Sequence, residues 1–264
     1  MQFGLNLYSI RNLIDTEEHF LDTAKKLREM GYESIQYSGG PFDAEMIARV
    51  SQKAGLPVVL THVPYDRIVN DTDRLMREHE RFHCRYIGLG SIAPDVQNDA
   101  KGFAEAVAAL ERASERMEEN GFRFFYHHHH REFAQYGETT YFDYMVENAP
   151  HIHFTLDTYW LQYGGVDVCA VIDRMAGRAE CLHLKDYKLL SGTDEKSPFA
   201  PTFAAVGDGT LDFAKIIRHA KLAGVEHFLV EEDDAALLPD PLAEVGRSID
   251  YLRAHFGDQE AVTK

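Results

Sequence analysis

Along the chain, short stretches in which apolar residues alternate with polar or small ones are followed by stretches in which they recur every three to four residues. The first period belongs to strands and the second to amphipathic helices. "FGLNLYS" sets Phe3, Leu5 and Leu7 against Gly4, Asn6 and Tyr8 and predicts a strand. "EEHFLDTAKKLREMG" carries Phe20, Ala24 and Leu27 at helical spacing and stops at Gly31, a natural C-cap. Strand "SIQYSGG", helix "DAEMIARVSQKAG" ended by Gly55, and strand "LPVVLTH" follow. Then come helix "DTDRLMREHERFHC", with Asp71 or Thr72 as N-cap, strand "YIGLG", and helix "AKGFAEAVAALERASERMEENG", closed by Asn120 and Gly121. The second half repeats the rhythm with strands "FRFFYHHH", "IHFTLDTYW", "ECLHLKD" and "EHFLVEED". Its helices are "TTYFDYMVENA", "VDVCAVIDRMAG", "LDFAKIIRHAKLAG" and "PLAEVGRSIDYLRAHF". A long loop through "LLSGTDEKSPFAPTFAAVGDG" separates the seventh strand from its helix.

Eight strand–helix units without a low-complexity linker predict an α/β chain forming a single (β/α)8 TIM barrel domain over residues 1–264. A doubly wound open sheet would want a Gly-rich phosphate turn after the first strand, and "LYSIRNLI" is not one. In such a barrel, polar side chains at the C-terminal strand ends become site candidates if they face the axis.

Alternation assigns the facing. Phe124 and Tyr126 suit the helix side, which turns Phe125, His127 and His129 inward and leaves His128 and His130 as solvated or loop residues. Phe154 and Leu156 turn His153, Thr155 and Asp157 inward; Leu182 and Leu184 do the same for His183 and Lys185. Phe228 and Val230 turn Leu229 and Glu231 inward. The last four strands thus each deliver one polar group near the C-terminal end: His127, Asp157, His183 and Glu231. A buried carboxylate needs a partner or a cation, and two carboxylates with two imidazoles suit a divalent metal with open positions. His127 and His129 share a face; His127 is the preferred ligand, and His129 becomes a substrate contact. Each residue also has a plainer role: an inward His as a hydrogen-bonded rim residue, Asp157 as a helix N-cap, Glu231 and Lys185 as an ion pair.

Acidic residues outnumber basic ones 43 to 27, a formal charge of -16 that repels nucleic acid phosphates. Cys84, Cys169 and Cys181 show no CxxC spacing and read as reduced, buried thiols. No run is long and apolar enough to cross a bilayer, and "MQFGLNLYSIRN" lacks the pattern of a signal peptide, so the expected address is the cytoplasm.

"YHHHHREF" resembles the YHNHxxEF strand of the xylose isomerase-like barrel superfamily, the sugar phosphate isomerase/epimerase or family 2 AP-endonuclease-like group. "LYSIR", "VLTH", "LDTYW", "HLKD", "VGDGTLDF" and "FLVEEDD" fit the same pattern in the same order over nearly the whole chain. The resemblance implies one divalent ion on the ends of the fifth to eighth strands, carried here by His127, Asp157, His183 and Glu231. Its epimerase members usually carry Glu where this chain has His127, and many carry Glu where "SIQYS" offers Gln36.

The resemblance implies a metal-dependent isomerase or epimerase acting on a keto-sugar or cyclic polyol through an enediolate-type intermediate, with Glu231 as base. An inosose-type dehydratase on the same scaffold is the second reading, and an abasic-DNA phosphodiesterase or a metal-holding sugar-binding module are others. Lys185 and His129 are candidate proton-transfer groups, His62, Trp160 and Tyr8 candidate substrate contacts, and Arg11 a candidate for an anionic group. The ligand chemistry admits Mn, Co, Zn, Fe or Mg. The expected partner is a small carbohydrate, with no nucleic acid or membrane; pairing into a homo-oligomer is compatible with a barrel.

Overall fold

The computed structural model describes residues 1–194 and 197–257. Among them, eight parallel strands close a barrel. They are β1 (Phe3–Asn6), β2 (Ser34–Tyr37), β3 (Val58–His62), β4 (Tyr86–Leu89), β5 (Arg123–His127), β6 (His153–Asp157), β7 (Cys181–Leu184) and β8 (His227–Val230). Each strand pairs with its neighbours in the chain, and β8 returns to β1. The register sets Asp157 beside His183 and His183 beside Leu229, so the polar strand ends come level around one mouth.

The apolar residues divide into two clusters. Phe124, Tyr126, Phe154, Leu156, Leu182, Leu184, Phe228 and Val230 pack outward against the helices. Leu60, Phe125, Cys181 and Leu229 form a separate plug inside the barrel. This is the in–out alternation expected from the sequence, and each such side chain contributes about 1.5–3 kcal/mol by burial. Space inside is short: a Cβ at Gly88 would lie 2.6 Å from the Thr61 carbonyl oxygen and 2.9 Å from the His62 ring. Glycine on β4 is what lets that ring stand beside its neighbours.

Helix ends follow the local signals. Thr16 and Asp43 accept the first free N–H groups of helices Glu17–Met30 and Ala44–Ala54, and Gly31 and Gly55 close them in the left-handed conformation. Helix Ala100–Glu118 is capped by Asp99. Helix Tyr141–Asn148 is capped by Thr140, which also belongs to a two-residue ribbon, Gln135–Tyr136 with Thr139–Thr140.

Four expectations are corrected. The first strand ends at Asn6, because the Asn6 side chain accepts from the Tyr8 N–H and turns the chain into a 3-10 helix, Leu7–Leu13. The helix after β3 is preceded by a short one, Tyr65–Asn70. Asp71 stands at the N-cap of helix Thr72–Glu80 but makes no capping bond, while the Thr72 hydroxyl donates backward to the Ile68 carbonyl. The stretch read as a long loop after β7 contains an antiparallel hairpin, Asp186–Asp194 with Ser197–Ala204. Its root is fixed by Asp186, whose carboxylate accepts from the backbone N–H groups of Tyr187, Gly207, Gly209, Thr210 and Leu211. Periodicity could not show this, because the two strands pair with each other and not with the barrel sheet.

Cys84, Cys169 and Cys181 are buried and free. No helix among the described residues is long and apolar enough to cross a membrane.

Candidate metal centre

His127, Asp157, His183 and Glu231, at the ends of β5, β6, β7 and β8, converge at the barrel mouth. All four are buried, and one ligand atom from each lies within 4.8 Å of the others. His127 Nε2 is 3.5 Å from Asp157 Oδ2 and 3.9 Å from Glu231 Oε2. His183 Nδ1 is 2.9 Å from Glu231 Oε2 and 3.8 Å from Asp157 Oδ2. Ligand bonds of about 2.0–2.2 Å separate neighbouring donors by roughly 3.0–3.5 Å, so the cluster is close to the size that one ion needs, with the 3.8 and 3.9 Å pairs slightly wide. His127 Nε2, Asp157 Oδ2 and His183 Nδ1 are buried without a hydrogen-bond partner. Three buried atoms of donor chemistry facing one another without a well-formed hydrogen bond mark a cluster that could hold a metal ion.

The surroundings orient each donor. His127 Nδ1 is 3.2 Å from the Gly90 carbonyl, which takes its N–H and aims Nε2 inward. His183 Nε2 donates to Gln36 Oε1 at 2.7 Å, leaving Nδ1 for the cluster. Gln36 Nε2 in turn donates to His62 Nε2 and Ser38 Oγ, each at 3.1 Å. Asn6 Nδ2 donates to Glu231 Oε1 at 2.5 Å. Asp157 serves twice: Oδ1 accepts from the Trp160 N–H as the N-cap of helix Thr158–Tyr163, and Oδ2 faces the cluster. The cap and ligand roles are therefore compatible in one carboxylate.

Burial opposes charge on Asp157, yet Lys185, His127 and His183 pull its carboxyl below the usual range. Glu231 is treated alike: burial raises it, and His183, Lys185 and His127 bring it well down. Burial lowers His183, but Glu231 and Asp157 outweigh that and hold it up at about 9. Two ionised carboxylates buried in the mouth thus hold positive charge tightly, whether a proton or a metal ion.

Lys185 is fully buried, with Nζ 2.7 Å from Asp233 Oδ2, 3.5 Å from Glu231 Oε2 and 3.9 Å from Asp157 Oδ2. Burial disfavours its charge, but Glu231, Asp157 and Asp233 outweigh this and raise it above the ordinary lysine value. His129 is half-buried; its ring meets those of His127 at 4.7 Å and Trp160 at 5.2 Å, and its Nδ1 has no partner. Burial and His127 push His129 far down, so it stays neutral. His62 stands 5.5 Å from the His127 ring and 6.0 Å from the His183 ring, neutral through burial and these neighbours. Trp160 lies beside the cluster, with a buried Nε1 that lacks a partner. Tyr8 is exposed under the Arg11 guanidinium, 4.2 Å from its ring, and no hydrogen bond or ring contact joins it to the four ligand candidates among the described residues. Arg11 donates to the Tyr8 and Asp233 carbonyls.

One reading is corrected. His128 is not solvated: it is fully buried, and its Nε2 accepts from the Asp157 backbone N–H at 3.1 Å. It thereby holds the backbone of Asp157, one of the four candidate ligands. His130 is exposed, its ring tilted against Trp160 at 5.1 Å and edge-on to Tyr163 at 4.9 Å. Sequence reasoning missed Asn6, Asp233 and Glu132 and left Gln36 without a partner. Asn6 and Gln36 share the inward parity of their strands, and Asp233 that of Glu231. Glu132, which accepts from the His129 N–H and the Tyr126 hydroxyl, lies beyond the strand and carries no such signal.

Residues 24–255 match the model of the xylose isomerase-like TIM barrel family. The chain belongs to that family. No curated protein matches it. Among solved structures, the barrel is similar to a sugar phosphate isomerase/epimerase from Parabacteroides distasonis, with 18% identity and a TM-score of 0.80 over 98% of this chain and 95% of that one. It is also similar to a probable 3-DHS dehydratase from Bacillus anthracis, at 12% identity and TM-score 0.69 over 96% and 98% of the two chains. A xylose isomerase-like TIM barrel protein from Mycobacterium smegmatis, solved in complex with magnesium, matches at 13% identity and TM-score 0.69 over 95% of each chain. At these identities the likeness is one of fold.

Proposed function

We propose that this family member is a divalent-metal-dependent enzyme, one barrel domain, that moves a proton on the carbon beside the carbonyl of a keto-sugar or cyclic polyol, as a sugar isomerase or epimerase. The observation that carries this is the convergence of three unpartnered buried donor atoms with Glu231 at the mouth. A divalent ion held by His127, Asp157, His183 and Glu231 would supply Lewis-acid polarisation of the carbonyl oxygen. Its two charges balance those of Asp157 and Glu231, and Lys185 pairs with Asp233. A site balanced in this way favours an uncharged substrate over a phosphorylated one.

Glu231 is the base, with Asn6 fixing its Oε1. Lys185, kept protonated by three carboxylates, donates a proton or steadies developing negative charge on a substrate oxygen. His62 and His129, both neutral, hydrogen-bond substrate hydroxyls, and Trp160 offers its face to sugar C–H groups.

The 3.5 Å between Lys185 Nζ and Glu231 Oε2 favours a second reading, the lyase. With base and acid on one side, Glu231 takes the proton beside the carbonyl while Lys185 protonates the hydroxyl on the next carbon, and water leaves. The dehydratase among the similar structures is in keeping with this. Proton NMR of ketopentoses, ketohexoses and inososes with Mn2+-loaded protein in D2O decides the matter. Deuterium beside the carbonyl with an isomeric product supports the isomerase, and an enone or dicarbonyl product supports the lyase. Unchanged spectra across the whole panel would remove both.

A further inference from the structure

The hairpin after β7 does more than fill a gap between strand and helix. Its two strands pair Tyr187 with Phe203 and Leu189 with Pro201, so these four side chains share one face. At the root of that face, the Phe203 ring reaches Tyr159 at 4.9 Å and Trp160 at 6.1 Å, and Tyr187 reaches Tyr159 at 5.3 Å. Farther out, Leu189 is exposed. The hairpin is thus anchored to the barrel mouth by aromatic contacts with helix Thr158–Tyr163, the helix that Asp157 caps.

Between Phe203 and Trp160 lies the Lys185 ammonium. Nζ is 4.9 Å from the centre of each ring. Both distances are within the range of a cation–π contact, which strengthens where water is excluded. Asp233 holds the same nitrogen from a third side at 2.7 Å. The Lys185 backbone is pinned as well: its N–H donates to Thr158 Oγ1 at 2.9 Å, and that hydroxyl donates to the Lys185 carbonyl at 2.8 Å. The stem is fixed by β7 and helix Thr158–Tyr163, but the direction of the ammonium is set by Trp160, Phe203 and Asp233.

We infer that Phe203 is a positioning residue: the hairpin delivers its ring so that, with Trp160, it confines the Lys185 ammonium beside Glu231 and shields it from water. This rests on the proposed role of Lys185 in proton transfer, and it adds a requirement that the four-ligand cluster alone does not impose. Without the ring, the ammonium gains freedom on the side facing solvent, and its alignment with Glu231 is lost while the ligand set stays whole.

Trp160 is the single tryptophan of the chain, so its emission reports on the ammonium beside it. The test compares Phe203→Ala, Phe203→Tyr, Lys185→Met and Leu189→Ala with the wild type. Phe203→Ala should move the Trp160 emission in the direction that Lys185→Met moves it, Phe203→Tyr should restore it, and Leu189→Ala, on the exposed part of the same face, should leave it unchanged. In the Mn2+-loaded protein, Phe203→Ala should lower kcat for deuterium exchange about tenfold, with Mn2+ affinity within twofold of the wild type. The inference is overturned if Phe203→Ala leaves emission and kcat as they were, if Leu189→Ala mimics it, or if kcat and Mn2+ affinity fall together. A wild type that binds Mn2+ but exchanges nothing would count against the functional reading alone, because the emission comparison needs no substrate.

Discussion

His127 and His183 show how much of a candidate metal site is decided one bond away from the candidate ligands. Each ring has two nitrogens, and the acceptor on the far side chooses which one faces the cluster: the Gly90 carbonyl for His127 and Gln36 Oε1 for His183. Replacing Gln36 with Leu removes the acceptor and leaves a buried N–H with nowhere to donate. Mn2+ affinity should then fall by about 10- to 100-fold, read by titration calorimetry, with the barrel still folded. An unchanged affinity would mean that the β7 backbone alone sets the ring. At this scale the sequence was legible wherever strand parity governed the side chain, as for His127, Asp157, His183 and Glu231. His128 escaped because parity says only that it points away from the axis. That it is buried and bonded to the Asp157 backbone depends on how β5 packs beside β6.

Elements are joined by a few buried polar links whose protonation is fixed. His79, in helix Thr72–Glu80, places Nδ1 2.8 Å from the Leu75 carbonyl and Nε2 2.8 Å from Thr61 Oγ1 on β3. A neutral ring satisfies both contacts, donating to the carbonyl and accepting from the hydroxyl. Burial holds His79 down at about 4. The unfolded chain takes up this proton near pH 6.5 and the folded protein only near pH 4, so the unfolded state binds more protons in between. Stability from this residue is therefore fully present above about pH 6.5 and is lost as pH falls towards 4, by about 3 kcal/mol across the window. His79→Gln should flatten the dependence of the urea midpoint on pH between 6.5 and 4 while lowering the midpoint at pH 7.5. A slope equal to that of the wild type would show that His79 does not carry it. The hairpin is the element the sequence hid: its residues have strand character, but nothing in their period reveals that they pair with each other over the mouth.

For the whole molecule, the mouth joins groups from β1, β2 and the last four strands, so an ion bound there ties distant parts of the closed sheet. An ion that binds only the folded chain stabilises it by about 2.7 kcal/mol at a concentration 100 times its dissociation constant. Calorimetric scans should show a higher Tm with Mn2+, reversed by chelator, and no Mn2+-dependent rise in His127→Ala. A Tm indifferent to Mn2+, Co2+, Zn2+, Fe2+ and Mg2+ in the wild type would remove the metal centre.

The chain by itself determined the eight-unit rhythm, the in–out facing of the last four strands, and hence the four groups at one end of the barrel. These follow from periods of 2 and 3.6 residues, which depend on local backbone geometry alone. Only the tertiary structure decided that three of their atoms lack partners, that Asn6, Gln36 and Asp233 orient or balance them, and that Phe203 closes over Lys185. Those contacts join residues far apart in the chain, and their distances exist only once the sheet has closed and the hairpin has docked.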